Sequence, residues 1–112
     1  MKHKIVLLPF PFDDFSDFNV RPAICLTDRI TGYNQVVVAF ITSRTNVATE
    51  PSDLIISSEE STFSTTGLRV NSAIRLHRLV TIPTRIISRT LGELPLDYRA
   101  DLEQKLRGLL GL

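Results

Sequence analysis

Apolar and polar positions along this chain fall into short runs of strand type, followed by one stretch of helical period at the end. Lys4 to Phe10 is a compact apolar run halted by Pro9 and Pro11, since proline brings no N–H to a ladder. Pro22 to Thr27 is a second strand, and a proline suits its opening position. Gln35 to Ile41 is a third, and the turn residues Thr31-Gly32-Tyr33-Asn34 before it suggest a hairpin. In Ser72 to Ile82 the apolar residues alternate imperfectly with Arg75, His77, Arg78 and Thr81. The broken alternation predicts a bend or bulge, as small barrels require at their corners.

The remaining segments carry weaker patterns. Leu54-Ile55-Ile56 is a candidate short strand, and Ser57 to Thr66, with seven Ser/Thr in ten positions, reads as a loop closed by Gly67. Ile86-Ile87 is a last strand or a helical turn. Tyr98, Leu102, Leu106, Leu109 and Leu110 then form one stripe of a terminal helix. Asp97 is its predicted cap and Gly111 its stop, with Gly108 weakening the last turn. Asp101–Lys105 and Glu103–Arg107 have the favourable i, i+4 order. Several short strands and one closing helix predict a single, mainly β domain over residues 1–112, a small barrel with a C-terminal helix.

Composition narrows the class. With 43% hydrophobic and 22% charged residues, the chain has the make-up of an ordinary soluble domain rather than a disordered one. No run approaches the roughly 18 apolar residues of a membrane span, and the N-terminal aliphatic run is too short for a signal peptide, so the cytoplasm is the expected compartment. One cysteine, Cys25, excludes an intrachain disulfide and a zinc framework, and its strand setting suits a small buried hydrophobe. The net charge is +1, but its distribution is uneven. Residues 1–60 carry five Lys/Arg against eight Asp/Glu, and residues 61–112 eight against four. Between Arg69 and Gly92 there are five arginines, His77 and no acid. Such a span suits a phosphate-bearing or acidic partner, although a solvated strand face has the same composition.

The chain has no Gly-rich phosphate loop, metal-binding cluster or nucleophile elbow, and no cofactor is expected. His77, flanked by Leu76 and Arg78, reads as a surface strand residue. Arginine and hydroxyl chemistry remains. Attack of a ribose 2′-oxygen on the adjacent phosphorus builds negative charge on non-bridging oxygens, and a guanidinium with a hydroxyl stabilises it. Arg21, at the start of an apolar strand, and Thr42, at the end of another, are placed to meet at one barrel rim. A turn-capping hydroxyl is the structural alternative for Thr42.

The order of these elements resembles the MazF/PemK toxin ribonucleases. Ile5 to Leu8, the Pro9-Phe10-Pro11-Phe12 run, Arg21-Pro22-Ala23 through Leu26, and Ile41-Thr42-Ser43 follow the opening of one branch of that family. Gly67-Leu68, Ser72-Ala73-Ile74-Arg75, Thr81-Ile82-Pro83 and Leu91-Gly92-Glu93-Leu94 follow its later pattern. The resemblance implies an SH3-like barrel, a homodimer and metal-independent cleavage of single-stranded RNA. Carried over, Arg21 and Thr42 are the catalytic pair, and Ser43, Arg44, Ser72 and Arg75 are expected RNA contacts. An acidic antitoxin peptide is the expected partner over the same groove.

Two departures stand out. His3-Lys4 replaces the usual Gly-acid pair before the first strand, and Asp13-Asp14-Phe15-Ser16-Asp17-Phe18 sets carboxylates in the loop that leads to Arg21. The cluster of phenylalanines from Phe10 to Phe18, or the strand edges bearing Ile74 and Leu76, would supply a dimer surface. A gyrase poison of the related CcdB type and an inactive antitoxin-binding member are the alternatives to a nuclease.

Overall fold

The fold is taken from a computed structural model, which describes residues 1–9, 20–30 and 32–112. Among the described residues six strands form one antiparallel sheet: β1 (Lys4–Pro9), β2 (Val20–Cys25), β3 (Gln35–Thr42), β4 (Asp53–Ile56), β5 (Ser72–Pro83) and β6 (Arg89–Glu93). Their order across the sheet is β4-β5-β3-β2-β1-β6. A one-turn helix, α1 (Phe63–Thr66), joins β4 to β5, and α2 (Leu96–Leu110) closes the chain. None of the described helices is long and apolar enough to cross a membrane.

The sheet curls into a half-barrel. Leu54 and Ile56 at one edge and Leu91 at the other pack into the same cluster with Ile5, Ile24, Ile74 and Leu102, so the two ends of the sheet share one core. The opposite face carries a second cluster of Val6, Leu8, Ala23, Cys25, Val36, Val38 and Ile82. Burying both faces explains why the strands read as continuous apolar runs.

The curl is held at a seam where α1 rests on β6. Gly67 caps α1 with φ +73°, in the left-handed region, and a Cβ there would overlap the Leu91 carbonyl. A Cβ on Gly92 would strike the carbonyls of Thr65 and Thr66. Leu91 itself is the extra residue of a bulge, for β6 pairs Gly92 with Ile5 and Thr90 with Val6.

Several sequence-based boundaries shift. β2 begins at Val20 rather than Pro22, because pairing with β1 carries the ladder back through Arg21 opposite Leu8. It ends before Thr27, whose hydroxyl accepts the Val37 N–H at 3.2 Å in place of a backbone bond. β3 runs one residue further, to Thr42, which pairs with Ala73. The predicted bend of β5 is present: Ala39 faces Leu79 but Phe40 faces Arg75, leaving Leu76 to Arg78 looped out of the pairing.

Part of the Ser57–Thr66 loop is helical. Thr66 is fully buried, donates its hydroxyl to the Phe63 carbonyl at 2.7 Å and accepts the Leu68 N–H, so a polar residue anchors the turn. Near Ile86 the chain makes a 3-10 turn over Thr84–Ile86, and the true last strand is β6, whose Arg-Thr-Leu-Gly-Glu sequence has too few apolar residues to announce it.

Helix α2 starts at Leu96 behind Pro95, with no side-chain cap; Asp97 lies inside the first turn, where its charge suits the helix dipole. Gly111 does close it in the left-handed conformation, at φ +73°. The stripe docks through Leu102, Tyr98 and Leu106, while Leu109 and Leu110 stay exposed. Both i, i+4 pairs form, at 3.9 Å for Asp101–Lys105 and 3.0 Å for Glu103–Arg107.

Ile74 and Leu76 are fully buried in this core, so these side chains offer no surface to a second subunit. Residues Phe10 to Phe18 lie outside the described residues.

Candidate functional site

β2 and β3 pair over Ala23–Cys25 and Val38–Phe40. Arg21 and Thr42 lie two places beyond that pairing on their strands, on the face that bears Ala23 and Phe40. Arg21 is exposed and Thr42 half-buried, and both line a cleft of about 770 Å³. Thr42 Oγ1 accepts the Arg44 N–H at 3.1 Å, the turn-capping role. A hydroxyl that accepts in this way keeps its own proton to donate.

Ser43 and Arg44 follow Thr42 along the same wall, and Ser72 and Arg75 reach the cleft from β5. All six sequence-predicted site residues therefore converge. Their availability differs. The Ser72 side chain is buried and donates to the Val70 carbonyl at 2.9 Å, so it shapes the wall rather than offering a ready donor. Arg75 uses Nε on Asp53, at 2.9 Å.

Arg69, Arg78 and Arg89 also line the cleft, so it holds six arginines with Arg21, Arg44 and Arg75, and no Asp or Glu among the described lining residues. Arg85, part of the same basic span in sequence, does not line it. Leu7, Pro22, Phe40, Leu68 and Leu91 supply apolar surface between the charges, with Val20, Val47 and Val70 partly exposed beside them. A polyanion carrying flat or apolar groups is the ligand such a lining accommodates.

Sequence reasoning missed Asp53. Its signal was a single acid opening the apolar run Asp53-Leu54-Ile55-Ile56, and only the register of β4 against β5 places it opposite Arg75. His77 is exposed, as the sequence suggested, with Nδ1 3.9 Å from Asp53 Oδ1 and Nε2 3.4 Å from Arg75 Nη2. His3 and Lys4 stand apart from the cleft. His3 adopts φ +74°, donates its N–H to Cys25 and accepts that of Leu94. Burial, then the Arg99 and Lys2 charges, hold its imidazole below the ordinary histidine value. Lys4 faces Glu93 at 3.7 Å. Cys25 is buried and burial pushes its thiol up to about 11, which makes it inert at neutral pH.

The family model described as "PemK-like, MazF-like toxin of type II toxin-antitoxin system" matches residues 2–110. This chain belongs to the PemK/MazF toxin family. No curated protein matches it. Among solved structures it is similar to the Mycobacterium tuberculosis toxin MazF-mt6, with 20% identity, 97% of each chain covered and a TM-score of 0.75. An endoribonuclease in complex with its cognate antitoxin, from Mycobacterial species, matches with 13% identity, 100% and 93% coverage and a TM-score of 0.71. The MazE-MazF structure (Form-II) of Deinococcus radiodurans matches with 22% identity, 99% and 94% coverage and a TM-score of 0.70. These likenesses place the curled sheet and terminal helix of this PemK/MazF chain within the fold of MazF toxins.

Proposed function

We propose that this PemK/MazF-family chain is an endoribonuclease that cleaves single-stranded RNA in the cytoplasm without a metal ion. The observation that carries the reading is the meeting of Arg21 and Thr42 in a cleft with six arginines and no acid among its described lining residues. Arg21 clamps the scissile phosphate and stabilises the charge that grows on its non-bridging oxygens as the 2′-oxygen attacks. That oxygen passes its proton to water and bonds to phosphorus as the P–O5′ bond breaks, leaving a 2′,3′-cyclic phosphate and a 5′-hydroxyl protonated from water. Its guanidinium stays protonated throughout, so its contribution is electrostatic rather than acidic. Thr42, oriented by the Arg44 N–H, donates its hydroxyl to a phosphoryl oxygen. Ser43 and Arg44 beside it, and Arg75 across the cleft, hold the flanking phosphates, with Ser72 shaping the wall between them.

The same charges fit an acidic antitoxin segment, and the fold neighbours that are toxin–antitoxin complexes support such a partner. A homodimer would join two clefts into a longer groove. Sedimentation at micromolar concentration tests it, and a single species near 12.6 kDa contradicts it. The test of the nuclease reading is incubation of a long RNA with the purified protein in EDTA. Discrete fragments are expected, and intact RNA refutes the reading. Expression in cells separates the alternatives: messenger RNA loss supports the nuclease, DNA breaks a gyrase poison, and unimpaired growth an inactive antitoxin-binding member.

A further inference from the structure

Among the described residues, Asp53 is the one carboxylate ion-paired with an arginine of the cleft. Its side chain is 1% exposed, whereas Asp28, Glu93, Asp101 and Glu103, which also form ion pairs, lie at the surface. One oxygen, Oδ2, accepts the Glu50 N–H at 2.9 Å, which pins the carboxylate to its own turn. The other, Oδ1, accepts Arg75 Nε at 2.9 Å. Ala23, Phe40, Arg75 and Asp53 are direct partners across four successive strands, so the contact is fixed by the sheet rather than by a flexible loop.

The geometry of the contact is informative. A guanidinium that only neutralised a buried acid would present its two-pronged edge to both oxygens. Here Asp53 takes Nε with one oxygen and gives the other to the backbone, so the terminal Nη groups of Arg75 make no hydrogen bond to the carboxylate. Nη2 lies 3.4 Å from His77 Nε2 and Arg75 lines the cleft. Among the described residues, none of the other five cleft arginines has an acidic partner. Arg75 is also where β5 leaves its pairing with β3, so its backbone is set by the bulge and its side chain by Asp53.

We propose that Asp53 is a positioning residue that pre-orders Arg75 as the fixed phosphate ligand of an otherwise adaptable arginine set. This rests on the reading of the cleft as an RNA site. A long side chain held in its binding conformation loses less freedom when the phosphate arrives. Asp53 itself never touches RNA. Its effect passes through Arg75, with His77 beside both groups, whereas the other arginines act independently.

The test is a double-mutant cycle on the full chain, read by binding of a fluorescein-labelled single-stranded oligouridylate. Asp53→Asn keeps the shape and an acceptor for the Glu50 N–H but removes the charge. It is expected to weaken binding about tenfold, the lower end of what outer groups that orient a ligand contribute. In an Arg75→Gln background the same change is expected to alter binding less than twofold, while with Arg78→Gln the two losses multiply. Equal tenfold losses in both backgrounds, or none in either, overturn the proposal. Should a variant fail to fold, proton–nitrogen spectra of the unsubstituted protein decide. The Arg75 Nε–H signal is expected to be present and slowly exchanging before RNA is added, with only the Nη groups shifting on titration. Arg75 Nη signals unmoved by bound oligouridylate make the ion pair purely structural and overturn the proposal. Absence of any oligouridylate binding by the parent protein instead removes the RNA reading on which the proposal stands.

Discussion

Adding one methyl group at Gly92 probes the seam that turns an open sheet into a half-barrel. The new Cβ would lie inside contact distance of the Thr65 carbonyl and the Thr66 carbonyl group, all backbone atoms of α1 with no side-chain freedom to yield. Thr66 is fully buried and Gly92, on the edge strand β6, pairs with the fully buried Ile5, so neither partner can simply swing aside. Relief requires lifting α1 off β6, which loosens the packing of Leu91 and Leu68 on the core. Overpacking of this kind costs about 1–3 kcal/mol. For a chain of this size that corresponds to a melting temperature lowered by ~5–15 °C. Gly108→Ala is the control. Nothing lies within 4 Å of its Cβ, and it sits in the exposed last turns of α2, where alanine is better than glycine by about 0.8–1 kcal/mol. Calorimetry of the two variants should therefore give shifts of opposite sign. A Gly92→Ala protein that melts with the parent would refute the seam.

The other expectations concern charge and titration. Arg75→Ala strands the Asp53 carboxylate in the interior and should lower urea stability by about 3 kcal/mol, with Asp53→Asn added to it recovering part of the loss. The Cys25 thiol is raised from its ordinary 9.0 to about 11 by burial, so the folded chain holds that proton more tightly than the unfolded one. The resulting stability is whole below pH ~9 and is lost as pH rises towards 11. Denaturation of parent and Cys25→Ala across that window should converge, and a constant difference would refute the burial. RNA affinity should fall with a log–log salt slope of about −4 if all six cleft arginines neutralise phosphates, and a flat salt response would show that they do not.

The sheet was largely legible because its strands are buried on both faces, and unbroken runs such as Val36 to Ile41 have no other reading. The bulge in β5 announced itself through the misplaced His77 and Arg78. What stayed hidden was held by pairing rather than by composition. β6 is polar and exists because β1 offers it an edge, and α1 is a serine- and threonine-rich turn kept by the buried Thr66 hydroxyl. In the cleft, Arg21, Thr42, Ser43, Arg44, Ser72 and Arg75 were found through motif order. Their convergence comes from register, with Arg21 and Thr42 lying two places beyond a pairing no local pattern announces. Asp53 was invisible for the same reason, since a lone acid before an apolar triplet gains meaning only once β4 is laid against β5.

Arg21 and Thr42 are proposed to carry the chemistry of this cleft. Single-turnover cleavage of an RNA by the parent, by Arg21→Ala and by Thr42→Ala, all in EDTA, tests it directly. Each substitution should slow cleavage on the order of a hundredfold or more while RNA is still bound. The double variant should be only slightly slower than the worse single, as befits groups acting on one transition state. Parent-like cleavage by Arg21→Ala, or loss of parent cleavage on chelation, would contradict it.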